Sequence, residues 1–331
     1  MRPALHLPHL PLLAEGKNLL AFSAGIDSSA LFFLLREHGV DFDIALVNYG
    51  TREQSSQEEK HAQELANRYG LRCYTTRAPR FESRFECRAR RFRYAYFASI
   101  IREHGYDNLL TAHQLNDRLE WMLMRLSRGA GLGEMTGMES LQSREGYTLI
   151  RPLLGYAKSE LLAYLEEEGH PYFVDESNDD ARYERNAFRK QFADPLIARY
   201  REGIARSFAY LAEDVELLDA AYTVVYRAGD LRIVRLAYPE VRVRACDRTL
   251  KQLGYLMSAA QRREVAQHDA LVVGGVWAVA YERRHLWIAP YRTDPMPKRF
   301  KEQCRTLHIP PHIRPYLYTE GIDPAATISS R

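Results

Sequence analysis

The sequence predicts an α/β chain, with a parallel-sheet, Rossmann-like domain over residues 1–200 and a smaller C-terminal α+β domain over residues 201–331. Three observations lead there. Short apolar runs alternate with segments of helical spacing through the first half, a repeat that builds a parallel sheet covered on both faces. A small-residue loop, Ser23-Ala24-Gly25-Ile26-Asp27-Ser28-Ser29, joins the first apolar run to the first helix. After residue 267 the helical spacing gives way to three short runs at 270–273, 276–281 and 285–289, the first two joined by Gly274-Gly275, which reads as an antiparallel hairpin.

In order, residues 17–22 form a strand and residues 28–38 a helix. Asp43-Ile44-Ala45-Leu46-Val47-Asn48 is the second strand. Residues 54–69 show helical spacing at Ala62, Leu65, Ala66 and Tyr69, and Gly70 ends them. A short strand at 71–75 leads to a long arginine-rich helix at 85–104, stopped by Gly105. Residues 107–112 read as a buried strand, followed by a helix from 114 to 128. Residues 129–150, rich in glycine, serine and methionine, read as a long surface loop. Helices follow at 158–168 and 184–200, around a polar turn at 175–180. In the second domain a helical part spans 201–267, with helices at 204–221, 242–256 and 259–267; short strands at 270–290 and a tail at 295–331 complete it. Ligands of parallel sheets bind at the carboxyl ends of the strands, so the loops at 23–29, 48–53 and 112–117 share one edge.

Composition sets limits. The 331 residues suffice for two domains with sizeable cores. No apolar stretch approaches the roughly 20 residues of a membrane span, and the start, broken by prolines and histidines, reads poorly as a signal peptide. Cys73, Cys87, Cys246 and Cys304 form no CxxC pair. They suggest neither a zinc nor an iron–sulfur site and fit a reducing cytoplasm. The net charge of +3 is uneven: residues 1–200 carry 26 Lys and Arg against 28 Asp and Glu, and residues 201–331 carry 20 against 15. Arginine outnumbers lysine 39 to 7. Guanidinium groups make bidentate contacts to phosphate and stack on bases, so this charge permits an RNA partner.

Four segments carry chemistry. The loop at 23–29 suits an anion, because a helix N-terminus offers free N–H groups and the positive end of its dipole. Ser23, Ser28 and Ser29 add hydroxyls, and Gly25 lets the main chain approach closely. The loop lacks the lysine of a Walker A motif. Next, His113, Asp117 and Glu120 lie four and three residues apart and can share one helix face; an acid-capped helix start has the same pattern. Third, residues 175–178 (Asp-Glu-Ser-Asn) precede Arg185, Asn186 and Arg189, whose two guanidinium groups fall on one face. Aimed at a triphosphate, they would stabilise charge developing on a leaving pyrophosphate. Fourth, basic and aromatic residues alternate from Arg88 to Phe97. An amphipathic helix with solvated arginines explains most of that segment, Arg93 excepted.

The loop resembles the Ser-Gly-Gly-x-Asp-Ser loop of the N-type ATP pyrophosphatases, which cut ATP between its α- and β-phosphates. Ala24 stands where they have glycine, and alanine tolerates a positive φ poorly. Six further segments follow in register: Asn48-Tyr49-Gly50-Thr51-Arg52, Ala89-Arg90-Arg91-Phe92-Arg93-Tyr94, residues 112–132, Ile150-Arg151-Pro152-Leu153-Leu154, residues 175–178, and Arg185-Asn186 with Arg189. Together they resemble the tRNA(Ile)-lysidine synthetase family over most of the first 200 residues, and residues 307–314 resemble that family's last domain. Tyr49, Gln114 and Asn116 depart from the family's histidine, histidine and aspartate.

The resemblance implies a PP-loop, adenine nucleotide alpha hydrolase-like fold and an ATP-dependent ligase. The C2 carbonyl oxygen of the wobble cytidine, in an isoleucine tRNA with a CAU anticodon, attacks the α-phosphorus of ATP and pyrophosphate leaves. The ε-amine of free L-lysine then displaces AMP, and codon reading changes from AUG to AUA. By the same resemblance Ser23, Ala24, Gly25, Ile26, Asp27, Ser28, Ser29, Arg93 and His113 bind ATP, and Asp117, Arg185, Arg189 and His113 serve catalysis. Glu120, Asn186 and Arg52 face lysine or tRNA, and Asp27 and Asp117 hold Mg2+. A cytoplasmic monomer or homodimer, without a membrane partner, is expected, its basic C-terminal domain holding the tRNA body. A tRNA thiolase on the same ATP domain and a non-catalytic tRNA-binding relative are the alternatives. Unpaired cysteines argue against the first; retained Asp27, Asp117, Arg185 and Arg189 argue against the second.

Overall fold

A computed structural model describes residues 5–50, 54–81, 85–174 and 184–327. The chain divides into two compact units, Met1–Ala212 and Glu213–Arg331. The strands of the first are β1 (Asn18–Ala21), β2 (Phe42–Asn48), β3 (Cys73–Arg77), β4 (Asn108–Leu110), β5 (Leu141–Arg144) and β6 (Tyr147–Ile150). Its helices are α1 (Leu10–Glu15), α2 (Ile26–Glu37), α3 (Gln54–Tyr69), α4 (Phe85–His104), α5 (Leu115–Leu126), α6 (Leu132–Met135), α7 (Lys158–Glu167) and α8 (Glu184–Phe188). A further helix, α9 (Asp194–Ala220), runs past residue 212.

The sheet order is β3-β2-β1-β4-β6-β5, and every pair is parallel except β5 with β6. The chain steps outward from β1 to β3 and then returns to β4, so its direction of travel reverses between β1 and β4. A crevice opens at such a point, at the carboxyl edge of the strands. Alternate side chains point to opposite faces. Leu20, Ile44, Leu110 and Ile150 face α2 and α7, meeting Phe32, Leu35, Leu161 and Leu165. Leu19, Ala45, Leu109 and Leu149 face α4, meeting Phe97 and Ile101. Burying one such side chain contributes about 1.5–3 kcal/mol. Both faces being dry is why the inner strands read as unbroken apolar runs.

Three expectations for this unit need correction. The supposed loop at 129–150 contains α6 and the β5–β6 hairpin, and β6 joins the sheet beside β4. β5 is a polar edge strand of four residues, with no apolar alternation to reveal it. The helices expected at 184–200 and 204–221 are instead α8, a π-helical turn (Arg189–Ala193) and α9, which bends at Tyr200 without ending. Pro195, lacking an N–H, sits just inside α9 and disturbs the preceding turn. The units accordingly separate at 212/213, inside a helix, and not at residue 200.

The second unit is also built on a sheet. The helical part expected at 201–267 contains β7 (Tyr222–Ala228) and β8 (Leu231–Leu236) before α10 (Arg242–Gln252) and α11 (Ala259–Gln267). With β9 (Ala270–Val273), β10 (Trp277–Glu282) and β11 (His285–Pro290) they form an antiparallel sheet, order β7-β8-β11-β10-β9. Gly274 and Gly275 both take positive φ in the β9–β10 hairpin, and a Cβ on Gly274 would collide with the Tyr255 hydroxyl. Val234, Leu286 and Ile288 pack towards α10 and α11. Ile233, Ala278 and Trp287 pack under α12 (Lys298–Thr306) and α13 (Arg314–Thr319), which occupy the expected tail. No described helix is long and apolar enough to cross a membrane.

Candidate active site

The small-residue loop bridges β1 and α2 at the carboxyl edge. Gly25 caps α2 with extended backbone (φ −76°, ψ 171°). Ala24 takes φ 58°, the left-handed region that costs a Cβ-bearing residue about 1–2 kcal/mol. Phe173 holds it there, donating its N–H to the Ala24 carbonyl at 2.8 Å. Ser28 Oγ donates to the Gly25 carbonyl (3.1 Å) and accepts from the Ser23 N–H (3.2 Å), with Ser23 Oγ 3.0 Å away. The serines thus shape the turn before any ligand arrives.

A cavity of about 500 Å³ opens over this loop. Ser23, Gly25, Ile26, Asp27 and Ser28 line its floor; Ala24 and Ser29 are buried behind it. One wall is apolar and aromatic, with Leu46, Val47, Tyr49, Phe85 and Tyr94. Asn48 fixes the end of β2 by donating to Glu59 (2.7 Å) and accepting the Gly50 N–H (2.8 Å). Arg93 and His113 line the cavity, whereas Arg88, Arg90 and Arg91 are exposed. Lys158, which the sequence reading missed, also lines it. As the first residue of a helix it looked like any solvated charge, and its place depends on β6 joining the sheet.

A cluster of four charges joins α5, α8 and the π-helical turn. Asp117 and Glu120 on α5 are 7% and 2% exposed. Arg185 and Arg189 each bridge both acids: Arg185 Nη2 to Asp117 Oδ1 is 3.2 Å and Arg189 Nε to Glu120 Oε2 is 2.7 Å, while Arg185 Nε meets Glu120 Oε1 and Arg189 Nη2 meets Asp117 Oδ1. Asp117 Oδ2 also accepts the Gln114 N–H at 3.1 Å, closing a capping box on α5. Asp117 therefore caps α5 and pairs with both arginines at once. Gln114, which replaces the family's histidine, is that helix's cap. Asn116, which replaces an aspartate, donates to Asp194 (2.7 Å) and accepts the Lys158 N–H (3.2 Å), tying α5 to the starts of α7 and α9. Asn186 is half-buried on α8. Arg52 and residues 175–178 lie outside the described residues.

The low dielectric sorts the protonation states. Burial, with the negative charge of Asp117 adding to it, pushes Asp27 up to about 7; Lys158 and Arg189 oppose the shift. One Asp27 oxygen is shut from solvent with no hydrogen-bond partner. Burial drives His113 down to about 3, so it meets a ligand as neutral imidazole, with Thr111 Oγ1 3.0 Å from Nδ1. Burial alone would raise Asp117, but Arg189, His113, Arg185 and the Gln114 N–H together hold it below the usual carboxylate range. Glu120 is raised by burial despite both arginines. Among the described residues no three acids, histidines or cysteines gather into a metal cage. The free oxygen of Asp27 fits a cation that takes its other ligands from phosphate and water; the oxygens of Asp117 are already occupied.

The PP-loop domain family matches residues 7–196. The chain is 44% identical to the tRNA(Ile)-lysidine synthase of Campylobacter jejuni (strain RM1221), covering 95% of this chain and 96% of that one. It is 41% identical to the Helicobacter pylori enzyme of the same name (strain ATCC 700392 / 26695), covering 94% and 92%. Among solved structures, a U34-tRNA thiolase from Methanococcus maripaludis, solved with its 4Fe-4S cluster, shares the fold at a TM-score of 0.50 and 18% identity, covering 61% of this chain and 73% of that one. The four cysteines here are free.

Proposed function

This chain belongs to the PP-loop tRNA(Ile)-lysidine synthase family, and from that premise we propose how its residues divide the work of an ATP-dependent ligase. The reaction joins free L-lysine to C2 of the wobble cytidine of isoleucine tRNA, through an adenylated cytidine, with release of pyrophosphate and AMP. The observation that carries the assignment of roles is a phosphate-shaped loop lining a cavity at the same sheet edge as two buried acids paired with two arginines.

In the first step the loop N–H groups and the hydroxyls of Ser23 and Ser28 cradle the phosphates, Ala24 and the buried Ser29 contributing through their main chain. Arg93 and neutral His113 position the nucleotide. Asp117 orients Arg185 and Arg189, which meet the charge that grows on the departing pyrophosphate. Asp27 would hold Mg2+ against the phosphate oxygens, where the ion neutralises part of their charge. Arg52, Glu120 and Asn186 serve the lysine and cytidine side. In the second step the attacking amine must be neutral. Glu120, whose pKa burial raises, takes its proton once Arg185 has turned towards phosphate. The second unit, rich in arginine, holds the tRNA body.

The test is incorporation of labelled lysine into an unmodified isoleucine tRNA transcript with a CAU anticodon, with and without ATP. The methionine tRNA sharing that anticodon is the control. ATP-dependent labelling of the isoleucine tRNA alone is expected. AMP release without labelling would replace lysine by another nucleophile, such as sulfur. No ATP turnover with the tRNA present would overturn the assignment.

A further inference from the structure

The loop has a phosphate-shaped backbone but no cation of its own: its one charged side chain, Asp27, is an acid. The cavity supplies what the loop lacks. Ser23, Asp27, Ser28, Arg93, His113 and Lys158 are among its polar lining, and Leu46, Val47 and Tyr49 at the end of β2, with Phe85 of α4, among its apolar and aromatic lining. β2 and β4 flank β1, and β6 lies beyond β4. Lys158 opens the helix that follows β6, so it enters from the side opposite the aromatic wall. An adenosine stacked on that wall would run its phosphates across the α2 N-terminus towards Lys158. Resting on the ATP-ligase reading above, we propose that the Lys158 ammonium grips the β- and γ-phosphates and holds the pyrophosphate as it leaves.

The surroundings fix this lysine in place. Its N–H donates to Asn116 Oδ1 at 3.2 Å, and Asn116 is anchored in turn on Asp194. One residue earlier, the Ala157 N–H is capped by Glu160 Oε2 (2.7 Å), which also receives Arg201 Nε (2.9 Å). The main chain at the start of α7 is thereby braced through Asn116 and Glu160, which fixes where the Lys158 side chain begins. Its charge acts on Asp27, which places the ammonium within electrostatic reach of the loop. A chain that uses arginine 39 times and lysine 7 keeps a compact ammonium here, suited to a point contact with phosphate where a planar fork would need more room.

The test is equilibrium binding of α,β-methylene-ATP and of AMP to the full chain at fixed Mg2+, comparing wild type, Lys158→Met and Lys158→Arg. Lys158→Met should weaken the ATP analogue about tenfold or more, the size of one lost charge-assisted bond, and leave AMP within about twofold. Lys158→Arg, which keeps the charge but not the compact head, should recover only part of the loss, and in steady state the KM for ATP should move more than kcat. AMP binding doubles as the check that the cavity is folded. Equal weakening of both ligands would make Lys158 a packing residue and overturn the proposal, as would no weakening of either. A wild-type chain that binds neither ligand would overturn the ATP-ligase reading itself, and this proposal with it.

Discussion

Of the fifteen buried polar and charged residues among those described, thirteen lie in the first unit; the second holds Thr249 and Thr327. Both units lay helices on a sheet, yet they treat charge differently. In the first, Asp117 and Glu120 are buried and paired with Arg185 and Arg189. In the second, the sheet is dry on both faces, and arginines pair with acids nearer the surface, as in Arg242–Asp269 and Arg305–Glu302. Taking a charge out of water costs several kcal/mol per ion. A fold that retains such groups keeps them where a low dielectric and shifted pKa values serve chemistry. Among the described residues, buried charge is thus kept in the first unit, while the charged pairs of the second lie nearer the surface.

The largest effect should come from Asp117→Asn. Product formation should fall about a thousandfold, as when a preorganised electrostatic group is lost, while tRNA affinity stays near normal; single-turnover lysine incorporation reads the first and filter binding the second. Wild-type turnover would remove Asp117 from the centre of the site. Next in size, Arg189→Ala should cost about 3 kcal/mol in urea denaturation, because it leaves two buried carboxylates with only the more exposed Arg185. Arg305→Ala, on an exposed pair, should cost about 0–1 kcal/mol. Equal losses would erase the contrast between the units.

Asp27 gives a pH test. In the folded chain it keeps its proton up to about 7, against an ordinary value of 3.8. Between those values the folded state binds more protons than the unfolded one, so this group's contribution to stability is full below 3.8 and is lost as pH rises through 7. Asp27→Asn should flatten that decline in melts taken from pH 4 to 8; an unchanged slope would mean that Asp27 titrates normally. The smallest effects concern backbone. Ala24→Gly relieves a left-handed alanine but deletes a buried methyl and adds chain entropy, so stability should change by less than about 1 kcal/mol. Arg284, exposed and at φ 65°, would lose only its Nη1 bond to the Ala237 carbonyl (3.2 Å), and Arg284→Gly should gain about 0.5 kcal/mol. A larger loss at Ala24 than at Arg284 would show that packing, not strain, governs the loop.

Much of this was legible in the chain itself. The strand–loop–helix around Ser23–Ser29, the parallel sheet implied by alternating strands and helices, and the helix carrying His113, Asp117 and Glu120 follow from local periodicity. Left-handed Ala24 was legible as a conflict between residue and position. The β5–β6 hairpin was not, because four-residue strands at a polar edge leave no period to read. β7 and β8 were hidden inside a segment taken as helical.

What the sequence determined alone is what short-range physics controls: which residues alternate, where a helix begins, and which motif lies at which strand end. What the tertiary structure decided is who meets whom. Arg189 reaches Asp117 across 72 residues and Phe173 steadies Ala24 from far along the chain. Lys158 enters the loop's cavity only because β6 pairs beside β4. Charge carries no direction in a sequence. Its partner is chosen once burial of the apolar faces has set the order of the strands.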